Sequence, residues 1–70
     1  LMPLLPSDDG TFPFIGVLEA VSNECSIVIG EFCVNASTPE KARQRIILKG
    51  WKKTFKDDGF RARVVSLSID

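Results

Sequence analysis

The chain has 70 residues with nine basic and nine acidic side chains, so its formal net charge is zero, and 44% of its residues are hydrophobic. This length accommodates one small domain, and the composition is that of a folded protein rather than a disordered tail. The sequence contains no His, which excludes the usual general base, the catalytic arrangements built on it and the commonest transition-metal ligand.

The first 13 residues contain three prolines and the polar run Ser7-Asp8-Asp9-Gly10, which predict an extended arm and turn. The apolar start lacks a basic region and is interrupted by prolines, so we expect no secretory signal. A membrane-spanning helix needs about 20 consecutive apolar residues, and no stretch of the sequence is that long and apolar. We therefore expect a cytoplasmic protein with no membrane partner, in which Cys25 and Cys33 are reduced, buried thiols.

Two segments rich in β-branched and aromatic residues follow the arm, at 14–21 and 26–34. The intervening polar residues predict a turn, so the two segments form a β-hairpin. If Val21 pairs with Ser26, Leu18 lies opposite Ile29.

A single helix is predicted next, over residues 39–57 or 39–58. Its start has two interpretations that differ by one residue. Either Ser37 is the N-cap with Glu40 at N3, or Thr38 is the N-cap with Pro39 at N1.

Two glycines bear on this helix. Gly59 suits the position after the helix end, where φ is positive. Within the helix, Gly50 lowers the helix stability by about 1 kcal/mol relative to Ala. We also expect it to permit close packing of the helix on the sheet. A third strand is predicted at 60–69, with one face formed by Val65, Leu67 and Ile69.

The element order β-β-α-β predicts an α+β fold, with a domain at 14–70 that follows the arm at 1–13. A helix between the second and third strands lets the third strand return beside the first. We expect a three-stranded antiparallel sheet of order 2-1-3 with one helix packed on one face.

Both faces of the hairpin are apolar, whereas one helix covers only one face. Three alternatives could cover the second face: the N-terminal arm, a second copy of the chain, or a different protein of a larger assembly. The residues predicted for self-association are Ile15, Val17, Val28, Phe32 and Val34. Glu19 and Glu31 lie one on each face. In a dimer each must then lie at the interface rim or pair with a basic residue such as Arg61 or Arg63.

The net charge of zero conceals an uneven distribution of charge along the chain. Residues 1–35 hold five acidic side chains and no basic one, whereas residues 36–70 hold all nine basic side chains and four acidic ones. At 100° per residue, six basic side chains share one face of the predicted helix. They are Lys41, Arg45, Lys49, Lys52, Lys53 and Lys56. One interpretation of this face is a solvated surface, since a surface helix needs a polar side. The other is an anionic partner, because several of these residues are like-charged i,i+4 neighbours, which destabilise a helix. Nucleic-acid phosphates, an acidic protein surface and the acidic hairpin of a second copy are the candidate partners.

We expect a non-enzymatic binding or adaptor protein that self-associates through its sheet and presents the basic helix face to an acidic partner. No cofactor, no metal site and no small-molecule substrate is indicated. Nucleic-acid binding through phosphate contacts is the alternative, although the isoelectric point of 6.4 lies below that of typical binding domains. A second alternative is an accessory fragment of a larger assembly.

Overall fold

The computed structural model describes residues 10–70, so residues 1–9 of the predicted arm at 1–13 lie outside the described residues. The elements follow in the order β1 (Phe12–Val21), β2 (Ser26–Ala36), α1 (Pro39–Gly50), α2 (Lys53–Asp57) and β3 (Arg61–Ile69). The strands form an antiparallel sheet of order β2-β1-β3, and α1 packs against it. The predicted α+β domain and its strand order are confirmed.

The hairpin is longer than predicted at its open end. Phe12 pairs with Ala36 and Pro13 with Asn35, so β1 starts two residues before the predicted strand. Pro13 lacks an N–H but its carbonyl accepts from Asp70 N at 2.9 Å, which ties β3 to the start of β1.

A β-bulge in β2 changes the predicted hairpin faces. Glu19 pairs with Val28 as expected, but Leu18 pairs with Gly30 instead of Ile29, because the register shifts between Leu18 and Glu19. One extra residue on β2 reverses which face every later side chain of that strand occupies.

A second irregularity lies in β3. Ser68 pairs with Ile15 and Val65 with Val17, so β3 carries one more residue than β1 in this interval. Ser66 accommodates the extra residue with a positive φ of 55°. The prediction that Val65 and Leu67 share a face is therefore wrong.

The core lies between α1 and the sheet. Leu18 and Ala20 on β1, and Ala42 and Ile46 on α1, are fully buried. A Cβ built on Gly50 would lie 2.6 Å from the Phe32 ring and 2.8 Å from Leu18 Cδ2. The expectation that Gly50 permits close packing of the helix on the sheet is confirmed.

The N-cap of α1 is Thr38, which decides between the two predicted starts. Its Oγ1 accepts from Lys41 N at 3.2 Å, its carbonyl accepts from Ala42 N at 3.0 Å, and Pro39 occupies the first helical position. The cap satisfies a backbone donor that the first turn leaves without a helical partner.

The prediction of one continuous helix is wrong. Helix α1 ends at Gly50, Trp51 and Lys52 are extended, and α2 begins at Lys53. Glycine is a weak helix former, and the break removes the like-charged i,i+4 neighbours Lys49 and Lys53 from one helix. Trp51 and the α2 residue Phe55 pack with their ring centroids 5.3 Å apart.

Helix α2 ends in a Schellman motif around Gly59. Gly59 N donates to Lys56 O at 3.0 Å, Phe60 N donates to Phe55 O at 2.9 Å, and φ of Gly59 is +88°. The rings of Phe55 and Phe60 meet edge to face at 6.5 Å. The predicted role of Gly59 is confirmed, and β3 starts one residue later than predicted, at Arg61.

Candidate functional site

The sheet face opposite α1 presents four rows of three side chains, defined by the strand register. We call it the open face. Its central stripe on β1 is Ile15, Val17, Glu19 and Val21, all partly exposed. The flanking positions on β2 are Cys33, Glu31, Val28 and Ser26, and those on β3 are Ser68, Val65, Arg63 and Arg61.

An ion pair lies in the middle of the open face. Arg63 Nη2 and Nε donate to Glu19 Oε1 at 2.6 and 3.1 Å. Glu19 is the more enclosed partner, with 16% of its side chain exposed against 55% for Arg63. Within residues 10–70 this is the only ion pair. Of the two alternatives predicted for Glu19 in a dimer, the interface rim or a pairing with a basic residue such as Arg61 or Arg63, the single chain already forms the pairing with Arg63.

The structure divides the five residues predicted for self-association. Ile15, Val17 and Val28 lie on the open face, where Val28 is 63% exposed. Phe32 and Val34 lie on the α1 side: Phe32 approaches Gly50, and Val34 packs against the buried core cluster of Phe14, Ala36 and Ala42. The prediction that all five share one face is wrong because the β2 bulge lies between Val28 and Phe32.

The outer edge of β2 carries two of the predicted basic-face residues. Lys49 Nζ donates to Cys33 O at 3.0 Å, and Arg45 Nη1 donates to Asn35 O. Both acceptors are backbone carbonyls of an edge strand, the groups through which another strand would pair. Arg45 and Lys49 thus cap this edge, which gives the two like charges on α1 a structural reason that the sequence pattern did not reveal.

The outer edge of β3 is interrupted in a different way. The bulge at Ser66 breaks the regular spacing of backbone donors and acceptors within the strand. Bulges at edges disfavour pairing with another strand. Neither edge of this sheet therefore offers a long regular template.

The remaining basic residues of the predicted helical face do not form one stripe. Lys41 lies in the first turn of α1, whereas Lys52, Lys53 and Lys56 lie beyond the break, at and within α2. All four are exposed. In the described part of the chain none has an acidic side chain within ion-pair distance. We call Lys52, Lys53 and Lys56 the α2 lysine cluster.

An open depression of about 430 Å³ lies where the β1–β2 turn meets the turn after α2. Its lining consists of Ser22, Asn23, Glu24, Cys25, Asp58, Gly59 and Phe60. The Ser22 hydroxyl organises the first turn by accepting from the backbone N–H groups of Glu24 and Cys25, each at 3.2 Å. Cys25 and Cys33 are both free and exposed, so the expectation of buried thiols is wrong.

Residues 10–70 contain no helix long and apolar enough to cross a membrane, and no group of three or more side chains that could hold a metal ion. Comparison of the chain with protein-family models, curated proteins and solved structures finds no match.

Proposed function

We propose that this chain is a small non-enzymatic binding module that associates with a second copy of itself through the open face. The observation that carries the proposal is the stripe of Ile15, Val17 and Val21 on the central strand, on a sheet face that no described helix covers. A domain of one helix layer and one sheet layer leaves such a face in water unless something packs on it.

The condition of the sheet edges supports face-to-face association over extension of the sheet. Arg45 and Lys49 bond to the carbonyls of the β2 edge, and the bulge at Ser66 interrupts β3. Proteins protect edge strands in these ways against pairing with further strands. The central stripe of the open face is apolar except at Glu19, whose charge the pair Glu19–Arg63 neutralises.

The size of the open face predicts a weak dimer. Three strands spaced about 4.8 Å apart and about 30 Å long give a face of about 400–500 Å² per protomer. Two such faces bury about 800–1,000 Å² in all, which is below the about 1,200 Å² at which stable specific interfaces begin. We therefore expect dissociation in the micromolar range.

Sedimentation equilibrium from 1 to 500 µM tests the proposal. We expect the mass to rise from that of a 7.7 kDa monomer towards twice this value. Val28→Lys places a charge on the open face at a position 63% exposed, so the fold tolerates it while dimerisation weakens at least tenfold.

Leu48→Lys is the matched control, because Leu48 is 83% exposed on α1, on the other side of the sheet. It should leave the dimer unchanged. A mass of one chain at every concentration would contradict self-association. A deletion of residues 1–9 that converts such a monomer into a dimer would identify the arm as the cover instead.

The second part of the proposal concerns the α2 lysine cluster, which we propose as the docking surface for an acidic partner protein in the cytoplasm. Three exposed ammonium groups lie within five residues, and no described carboxylate pairs with them. Three residues leave the predicted set: the side chains of Arg45 and Lys49 bond to the β2 edge, and Lys41 lies in the first turn of α1, at the end away from α2.

Fluorescence anisotropy with a labelled polyglutamate peptide and with mixed-sequence DNA, over a salt series, tests this part. Lys53→Glu combined with Lys56→Glu should abolish peptide binding. Lys41→Glu combined with Arg43→Glu makes the same charge change on α1 and should preserve it. Absence of peptide binding at 50 mM salt would contradict the proposal, and salt-dependent binding to DNA alone would support the nucleic-acid alternative.

A further inference from the structure

The open face has a lateral charge polarity. Its β2 side carries the carboxylate of Glu31, and its β3 side carries the guanidinium groups of Arg61 and Arg63. The apolar residues of β1 separate the two sides. Because the sheet order is β2-β1-β3, these opposite charges lie on opposite flanks of one central stripe.

We infer that two copies pack open face to open face around a two-fold axis that runs along β1, so that β2 of one protomer lies across from β3 of its partner. This inference rests on the proposed self-association and adds its geometry. In a two-fold dimer both protomers use the same surface patch, so every contact between two different residues occurs twice, once in each direction. The axis along β1 exchanges the acidic and basic flanks and brings opposite charges together at both sides.

A two-fold axis across the strands would give the opposite result. It places β2 over β2 and β3 over β3, so that Glu31 approaches its own copy and the arginines approach theirs. Like charges placed together across an interface oppose association. The charge pattern of the open face therefore selects the axis along β1.

The register identifies the facing rows in this arrangement. Glu31 and Val65 flank Val17 in one row, so Glu31 of one protomer lies across from the partner's Val65. The partner's Arg63 is two residues, about 7 Å, further along the same strand. Arg63 uses Nη2 and Nε for Glu19, which leaves the Nη1 donors for the incoming Glu31.

A native thiol supplies a direct test of this geometry. Cys33 and Ser68 flank Ile15 in one row, so Cys33 lies across from the partner's Ser68 under the proposed axis. Packed sheets are about 10 Å apart, too far for a disulfide but within the span of a short bismaleimide. One protein would carry Cys25→Ser, and the other Cys25→Ser, Cys33→Ser and Ser68→Cys.

A cross-linked dimer should form when the two proteins are mixed at a concentration where sedimentation shows the dimer, and not with either protein alone. Glu31→Lys in the otherwise unchanged chain should weaken dimerisation about tenfold, because on each side of the dimer it places a lysine across from the partner's arginines. Cross-linking of the Cys33 protein alone, or no product from the mixture, would overturn the axis while sedimentation still supports a dimer. A monomer in sedimentation would overturn the proposed function and the axis with it.

Discussion

The close approach of α1 to the sheet predicts that Gly50→Ala destabilises the domain. The added Cβ would lie 2.6 and 2.7 Å from two Phe32 ring carbons and 2.8 Å from Leu18 Cδ2, whereas carbon atoms normally approach to about 3.5–4.0 Å. Leu18 is fully buried, so its methyl group has little free space to enter. The helix must therefore move off the sheet or the Phe32 ring must turn.

The expected loss of unfolding free energy is the difference between an overpacking cost and a gain in helix propensity. Overpacking of a core costs about 1–3 kcal/mol, and replacing Gly by Ala in a helix returns up to about 1 kcal/mol. Gly50 is the last residue of α1, where the return is smaller. We expect a net loss of about 1–2 kcal/mol, which lowers the melting temperature by about 5–15 °C in a domain of this size.

Thermal and urea unfolding followed by far-UV circular dichroism, at one low protein concentration, measures this loss. Gly30→Ala is the matched control, because its Cβ would meet the same Phe32 ring at 3.6 Å, an ordinary contact distance. It should stay within about 0.5 kcal/mol of the unmodified chain. If Gly50→Ala were as stable as Gly30→Ala, the packing argument for the helix position would be refuted.

Three further substitutions test local features of the fold. Thr38→Ala should cost about 1 kcal/mol in urea unfolding, and Thr38→Ser much less, because only the alanine removes the cap oxygen. Gly59→Ala should cost about 1–2 kcal/mol, since nothing lies within 4 Å of the added Cβ and the cost is the positive φ; equal stability would contradict the left-handed conformation. Lys49→Ala should change stability little but accelerate aggregation measured by light scattering, because it uncovers the Cys33 carbonyl; Lys52→Ala removes the same charge and should not.

Local chemistry accounts for the parts of the fold that the sequence predicts well. The strand order follows from three strand-like segments with a helical segment between the second and the third. The start of α1 and the end of α2 follow from short-range hydrogen bonding by Thr38 and by the backbone near Gly59. Each of these features depends on residues close in sequence or on a general rule of connection.

The bulges are the features that periodicity cannot predict. A single unpaired residue near Ile29 moved Phe32 and Val34 to the helix side, and another at Ser66 separated Val65 from Leu67. A period of two describes a strand only between irregularities, and nothing in the composition of these segments marks the extra residue. Gly50 and the repelling lysines are signals of the helix break in the sequence, whereas the contact of Gly50 with the Phe32 ring joins residues far apart in sequence and has no such signal.

The charge asymmetry of the sequence acquires a spatial meaning from the sheet order. The acidic first half supplies β1 and β2, the basic second half supplies β3, and the order β2-β1-β3 sets β2 and β3 on opposite flanks of β1. A chain of zero net charge thus presents Glu31 on one flank of its open face and Arg61 on the other. The axis that we propose along β1 exchanges exposed flanks of opposite sign, so in that dimer one chain supplies both halves of a complementary interface. In the dimer that we propose, the sheet topology thus converts the segregation of charge along the sequence into self-complementarity, which gives a neutral chain an electrostatic preference for one orientation of its own copy.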